Sequence, residues 1–188
     1  YYINGFNTTD PLKGLGGITL PYGAIDQQEV YTGGYSAMYG RSDGGVINQV
    51  GKRGTNEWHF GAQLIWEPAF ARSDYTNDYY KIGFPKSAPA GAVYRPNSVD
   101  SNWSSTASIY GGGPLIKDKL FFFLAGEFQR DEHRQVNSVE ETVAGPYQKD
   151  RYNDPRWYAK IDWNITDNHI LELTGASDKR EGSGNYYN

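Results

Sequence analysis

The chain contains no cysteine, a single methionine and three histidines among 188 residues. Without cysteine there is neither a disulfide framework nor a thiolate metal site, and the redox compartment stays open. His59, His133 and His169 stand too far apart in sequence for a metal-ligand spacing. No Gly-x-Ser-x-Gly elbow occurs. Gly111-Gly112-Gly113 lacks the Gly-Lys-Ser/Thr of a phosphate loop, and it reads as the passage from a strand into a turn. The paired carboxylates Glu140 and Glu141 lie in a polar stretch and need no catalytic role. The expectation is a protein that is not an enzyme, with no cofactor and no metal. Basic clusters are missing as well: 18 Lys and Arg against 22 Asp and Glu leave a net charge of −4, which argues against a nucleic-acid partner.

Long hydrophobic runs are also absent. The longest, Leu120 to Ala125, is strand-sized, whereas a transmembrane helix needs roughly 20 apolar residues. That excludes a helical span but not a membrane β-barrel, whose strands alternate and so have low average hydropathy. Tyr1 to Gly5 lacks the basic start, apolar stretch and cleavage site of a secretory signal, so the chain is expected to begin as a mature protein or inside a longer one.

What the sequence does have is glycine and aromatic residues. Its 23 glycines, 16 tyrosines and 15% aromatics, at a mean hydropathy of −0.71, point to β-structure with many turns. Residues 1–56 are punctuated by glycine and predict short strands and tight turns. Strands are expected over Ile25 to Thr32 and Gly45 to Lys52, with one helical turn at Ser36 to Tyr39 capped by Ser36.

From Glu57 the pattern changes to a period of two, which places alternate residues on opposite faces of a strand. Strands are expected near 57–67, 102–112, 120–132, 156–164 and 169–177. In the first, Trp58, Phe60, Ala62, Leu64 and Trp66 share a face opposite His59, Gln63 and Glu67. The apolar faces of the others carry Trp103 and Ile109; Leu120, Phe122, Leu124 and Phe128; Trp157, Ile161 and Trp163; and Leu171 and Leu173. Connections of 69–101 and 133–155 are long and polar, whereas 113–119 and 165–168 are short. Bacterial outer-membrane barrels alternate long extracellular loops with short periplasmic turns in this way, and aromatic girdles end their apolar faces.

Several stretches resemble one family. "YSAMYGRSDGGVINQVGKRGTNEWHFGA" is similar to the end of the plug and the first barrel strand of TonB-dependent outer-membrane receptors, particularly the Oar-like group. "GGGPLIKDKLFFFLAGEFQR" resembles that group's first periplasmic turn and third strand, "YAKIDWNITDNHILELTGASD" its next hairpin, and "YYINGFNTTDP" and "AIDQQEVYTGGYSAMYG" later plug strands. The resemblance implies an all-β fold: part of an outer-membrane antiparallel β-barrel (57–188) preceded by the C-terminal part of a small plug domain (1–56). It implies a gated receptor in the outer membrane of a Gram-negative bacterium, taking up a scarce ligand with energy from the TonB–ExbB–ExbD system through an N-terminal segment that this sequence lacks. The partners implied are outer-membrane lipid, that energy system and an unknown extracellular ligand. A family barrel closes with about 22 strands, so five strands are expected to be a fragment, because open sheet edges are not tolerated in hydrocarbon. Met38 stands where the family has Glu before its Tyr-Gly pair.

Within that frame, Arg41, Asp43, Lys52 and Arg53 are candidates to pair with lumen-facing Glu67, Glu127, Lys160, Asp162 or Glu172, although surface charges are ordinarily only solvated. The apolar faces named above, from Trp58 to Leu173, are expected to face lipid. Tyr75, Tyr79, Tyr80 and Tyr94 are candidates for an extracellular ligand mouth, against the plainer reading that they pack their own loop. A second class of protein also fits alternating strands with Trp, Tyr, Asn and Gly: a soluble secreted β-sandwich module, carbohydrate-binding among other options.

Overall fold

The computed structural model describes residues 1–40, 44–81, 90–136 and 147–187. Among these residues it is all-β, the only helical elements being 3-10 turns. In chain order the strands are β1 (Tyr2–Ile3), β2 (Phe6–Asn7), β3 (Ile25–Tyr31), β4 (Val46–Gly51), β5 (His59–Glu67), β6 (Asp78–Tyr79) and β7 (Val93–Arg95). Then follow β8 (Ser101–Ile116), β9 (Leu120–Val136), β10 (Tyr147–Thr166), β11 (His169–Asp178) and β12 (Glu181–Tyr187). β1 to β4 form a four-stranded sheet in the order β2-β1-β4-β3; β6 and β7 form a pair; and β11-β10-β9-β8-β5, with β12 also on β10, make a six-stranded sheet.

The chain divides into two compact units, and the long strands supply residues to both. The first comprises Tyr1–Gln63, Ala107–Phe128 and Pro155–Lys179. It opens with a hairpin in which Asn4 and Gly5, at φ 50° and 82°, turn Ile3 back onto Phe6; Asn-Gly favours this because both positions need positive φ. β3 and β4 fall within the expected spans Ile25 to Thr32 and Gly45 to Lys52, and Ser36 caps the 3-10 turn Ala37–Tyr39 by accepting from the Met38 N–H. Ile3, Leu20, Ala24, Phe123, Ala125 and Tyr158 form the main buried cluster, with Tyr110 packed against it.

In this unit one sheet face is covered and the other open. Phe121, Phe123, Ala125, Glu127, Tyr158, Lys160 and Asp162 are buried. Their neighbours in the alternation, Leu124, Phe128, Trp157, Ile161, Trp163, Leu171 and Leu173, are exposed, as are Trp58, Phe60 and Ile109. Leu120 and Phe122 are half-buried, with Phe122 edge-on to Trp58. The sheet therefore buries charge and exposes large apolar side chains.

Gly111, Gly112 and Gly113 correct an expectation: they lie inside β8. A Cβ on Gly111 would meet the Phe60 ring, one on Gly112 the Phe123 ring at 2.7 Å, and one on Gly113 the Trp58 indole at 2.7 Å. Each glycine leaves room for an aromatic ring to lie over the backbone, which stabilises an otherwise weak strand position.

The second unit comprises Leu64–Thr106, Gln129–Asp154 and Arg180–Asn188. Two further expectations are revised in it. The stretch 133–155 is not a loop throughout, because His133 to Val136 continue β9 and Tyr147 to Pro155 belong to β10. β12, unanticipated from sequence, pairs with β10 from Tyr147↔Tyr187 to Asn153↔Glu181. These residues are polar on both faces, so alternation gives no signal there. The stretch 69–101 carries the β6–β7 pair and the 3-10 turns Ala69–Ala71 and Asn97–Val99.

Candidate functional site

The functional geometry of the first unit lies where the glycine-rich segment meets the covered face of the sheet. Its centre is Arg156, a β10 residue whose covalent neighbours put it on the same face as Tyr158 and Lys160. The guanidinium donates from Nη1 to Glu127 Oε1 at 2.8 Å and from Nε to Asp178 Oδ1 at 3.1 Å. Each carboxylate also accepts a backbone N–H from the segment: Glu127 Oε2 from Tyr22 at 2.9 Å, and Asp178 Oδ2 from Thr19 at 3.0 Å. The Glu127 side chain is 1% exposed.

The chain makes these backbone donors available for a local reason. Tyr22 begins the 3-10 turn Tyr22–Ala24, and Pro21 before it provides no side-chain cap. The first N–H groups of any helical turn lack internal partners, and here a carboxylate from β9 takes the capping role that Ser or Asp usually fills. Charge-assisted bonds of this kind are stronger than neutral ones.

Further contacts join segment and sheet within this unit. Asn4 accepts the Gly51 N–H at 2.8 Å through Oδ1 and donates to Tyr158 Oη at 3.2 Å through Nδ2. Gly51 lies so close to Tyr158 that a Cβ would stand 2.2 Å from its hydroxyl. Tyr110 is wedged between Gly23 and Gly61, with Lys52 Nζ 4.5 Å from its ring centroid. Arg53 Nε lies 3.8 Å from Asp162 Oδ2, while Lys160 is 3.6 Å from Asp162 and 3.1 Å from Glu172.

Of the charged candidates, Arg53 and Asp162 are thus brought together, Lys52 meets an aromatic ring, and Glu127 binds Arg156 and a backbone amide. Glu67 instead pairs with Arg72, five residues on. Arg41 and Asp43 lie outside the described residues. Sequence reasoning missed Asn4, Arg156 and Asp178. The Asn-Gly turn signal would have exposed the first, whereas counting back from the 165–168 turn would have placed Arg156 opposite Ser177, one residue short of Asp178, because the ladder shifts register between Asn164 and Thr166.

In the second unit, Leu64, Trp66 and Phe70 are exposed, with Trp66 and Phe70 in edge contact, and Trp103 is half-buried under Arg130. Tyr80 packs edge-on against Tyr94 at 5.1 Å. Asn102 Nδ2 donates to the Tyr75 hydroxyl at 2.6 Å, and Tyr79 is exposed.

The first unit is therefore all-β, with large apolar side chains on the open face of its sheet and, on the covered face, the charged Glu127, Lys160 and Asp162 beside Phe121, Phe123 and Tyr158 under a hydrogen-bonded segment. Comparison with known proteins gives two informative relatives. The chain is 31% identical over 153 residues to the TonB-dependent transporter Oar of Myxococcus xanthus, which covers 80% of this chain and 14% of Oar. It is 29% identical over 172 residues to a protein of Acinetobacter baumannii described as the probable TonB-dependent siderophore receptor PirA, covering 89% of this chain and 18% of that one. The chain thus spans less than a fifth of the length of either relative. No family model and no solved structure matches it. The chain belongs to the TonB-dependent receptors.

Proposed function

We propose that the six-stranded sheet is one arc of a transmembrane barrel in the outer membrane, that residues 1–56 belong to the plug inside it, and that the whole receptor takes up a ligand when the TonB system displaces the plug. The observation that carries this reading is the inverted sheet: charged Glu127, Lys160 and Asp162 are buried while Trp157, Ile161 and Leu173 are exposed. A soluble sandwich buries its apolar face, whereas a membrane barrel turns it toward lipid and keeps a polar lumen. The unpaired backbone along the outer edges of β5 and β11 would be satisfied in hydrocarbon only by further strands.

The contacts at Arg156, Asn4 and Arg53 suit a gate. They are ionic and hydrogen-bonded, so each is exchangeable for water when the segment moves. A siderophore is the ligand class that the description of the Acinetobacter relative names. Tyr75, Tyr79 and Tyr94 are the exposed members of the tyrosines proposed for the ligand mouth.

Conductance tests the gate without knowledge of the ligand. The receptor containing this chain, inserted in a planar bilayer, should conduct little, and deletion of residues 1–56 should open a large aqueous pore. Insertion followed by equally low conductance with and without those residues removes the plug assignment. A protein that stays in buffer without detergent revives the secreted sandwich.

A further inference from the structure

The junction between the glycine-rich segment and β5 is bonded differently from the clasp at Arg156. Asn56 and Asp118, the latter in the turn between β8 and β9, hold each other in both directions. Asn56 Nδ2 donates to Asp118 Oδ1 at 2.6 Å, and the Asp118 N–H donates to Asn56 Oδ1 at 2.8 Å. The turn is tied in its own right to β10, where the Asn164 N–H donates to the Lys119 carbonyl at 2.7 Å and Asn164 Nδ2 to the Asp118 carbonyl at 3.2 Å. All of these residues belong to the first unit.

On either side of Asn56 the chain is seated on β8 and β9. A Cβ on Gly54 would stand 2.4 Å from the Phe122 carbonyl oxygen and 3.0 Å from that of Gly113, so only glycine lets the backbone lie this close. Trp58 packs edge-on to Phe122 and lies over Gly113. Between them the Thr55 hydroxyl accepts the Glu57 N–H at 3.3 Å. One residue before Gly54 the character changes: the Arg53 side chain is 56% exposed and stands 3.8 Å from Asp162.

The residue type at 118 follows from this pairing. Its φ of 63° lies in the left-handed region, where glycine is the ordinary occupant and aspartate is tolerated. Glycine would form the turn with less strain but would leave Asn56 Nδ2 without its acceptor. The aspartate is explained by its partner rather than by the turn.

We propose that Asn56 and Asp118 are positioning residues of the gate: they pin the end of the segment to the wall, so that displacement stops at Gly54 and the released segment returns from a fixed point. The proposal rests on the plug-and-barrel reading. A pinned end shortens the flexible length that must find the wall again, which lowers the entropy cost of closing.

The backbone amides at the two attachments report on them directly, since the Thr19 and Tyr22 N–H groups are bonded to Asp178 and Glu127 and the Asp118 N–H to Asn56. Residue-resolved hydrogen exchange is measured on the detergent-purified receptor containing this chain, in urea below its unfolding midpoint. Thr19 and Tyr22 should exchange at least about tenfold faster than Asp118, because the clasp opens locally while the anchor opens only with the sheet. Asn56→Ala should speed exchange at Asp118 by about fivefold, the loss of one ordinary hydrogen bond, and leave Tyr22 unchanged. In planar bilayers, Asp118→Gly should slow the reclosure of urea-opened channels after washout by roughly threefold, the cost of about doubling the free length, although glycine suits the turn. Asp118→Asn keeps the acceptor and should reclose like the parent.

An Asp118 amide that exchanges as fast as Tyr22 overturns the proposal, and so does an Asp118→Gly receptor that recloses like the parent. If the variants do not insert, the comparison of amides on the unsubstituted receptor still decides. Deletion of residues 1–56 separates the two failures. If it opens a pore while Asp118 exchanges with Tyr22, only the anchor falls; if it opens none, the plug reading falls as well.

Discussion

The glycine-rich segment and the long strands both draw on aromatic residues and use them in opposite directions. In the segment, Tyr2, Tyr31 and Tyr39 pack on one another, with ring centroids 5.0 and 5.7 Å apart, around Val46. On the open face of the sheet, Trp58, Phe60, Trp157 and Trp163 stand exposed. The segment is attached to the long sheet by side-chain hydrogen bonds, as with Asn4 on Tyr158 and Glu127 on Tyr22. The sheet is held by ladders, with β10 and β11 in register from Arg156↔Asp178 to Asn164↔Ile170. Ladders fail only cooperatively, whereas side-chain clasps can be broken one at a time. A gate needs the second kind of attachment on the first kind of wall.

The sharpest way to break this contrast is at the clasp. Glu127→Ala leaves a buried guanidinium with one carboxylate fewer and the Tyr22 N–H without its acceptor. Breaking such a pair from one side costs about 3–5 kcal/mol. The expected result is a lower melting temperature together with a leak conductance, while Glu127→Gln, which keeps an acceptor for Tyr22, should lose less. A Glu127→Ala receptor that melts and conducts like the parent would show that the clasp holds nothing.

The open face provides the next largest effect, and the sign depends on what covers it. Leu124 is 54% exposed. In water, Leu124→Arg should change stability by no more than about 0.5 kcal/mol. Against lipid near mid-depth it should cost about 2–4 kcal/mol. Equilibrium unfolding from vesicles separates the two figures cleanly, and the small value would argue for a solvated sheet.

Close approach between segment and sheet is tested at Gly51. Gly51→Val places its Cβ against the Tyr158 hydroxyl, and overpacking of this kind costs about 1–3 kcal/mol. Truncating the obstacle in Gly51→Val/Tyr158→Ala should recover part of the loss, giving a coupling that independent sites would lack. Strict additivity would mean that the segment retreats from the wall when the valine is introduced.

These contacts also show how far the sequence alone leads. Alternation from Trp58 to Trp66 assigns a strand and its two faces, since one face is apolar and the other mostly polar, whereas from Leu120 to Ala125 both faces are apolar and only the second half of that strand alternates. It fails from His133 to Val136 and from Tyr147 to Pro155, where both faces are polar and the hydropathy contrast vanishes while the backbone ladder continues. It also fails at Gly111 to Gly113, because three glycines signal a turn locally, and only the rings of Phe60, Phe123 and Trp58 explain them within a strand. The clasp was hidden for a different reason. Half of its donors are backbone amides of Thr19 and Tyr22, which have no side-chain signature at all.

The smallest effect probes the segment's own packing. The Tyr31 hydroxyl donates to Glu29 Oε2 at 3.1 Å, and the same oxygen accepts from Asn48 Nδ2 at 3.1 Å. The bond to Glu29 raises the Tyr31 phenol above its ordinary value of 10.0, with burial adding to the effect. A raised folded value means that the neutral phenol is the form the fold prefers. Its contribution is therefore fully present below the unfolded value near pH 10 and is lost as the pH rises through the higher folded value. Ultraviolet titration of the receptor against Tyr31→Phe should assign one late-ionising tyrosine to this position. Glu29→Gln should move that ionisation back toward 10, because the carboxylate that holds the proton is gone while Asn48 and the strand pairing of β3 with β4 remain. Should the late ionisation persist in Glu29→Gln, burial beside Tyr39 rather than the Glu29 bond sets the value.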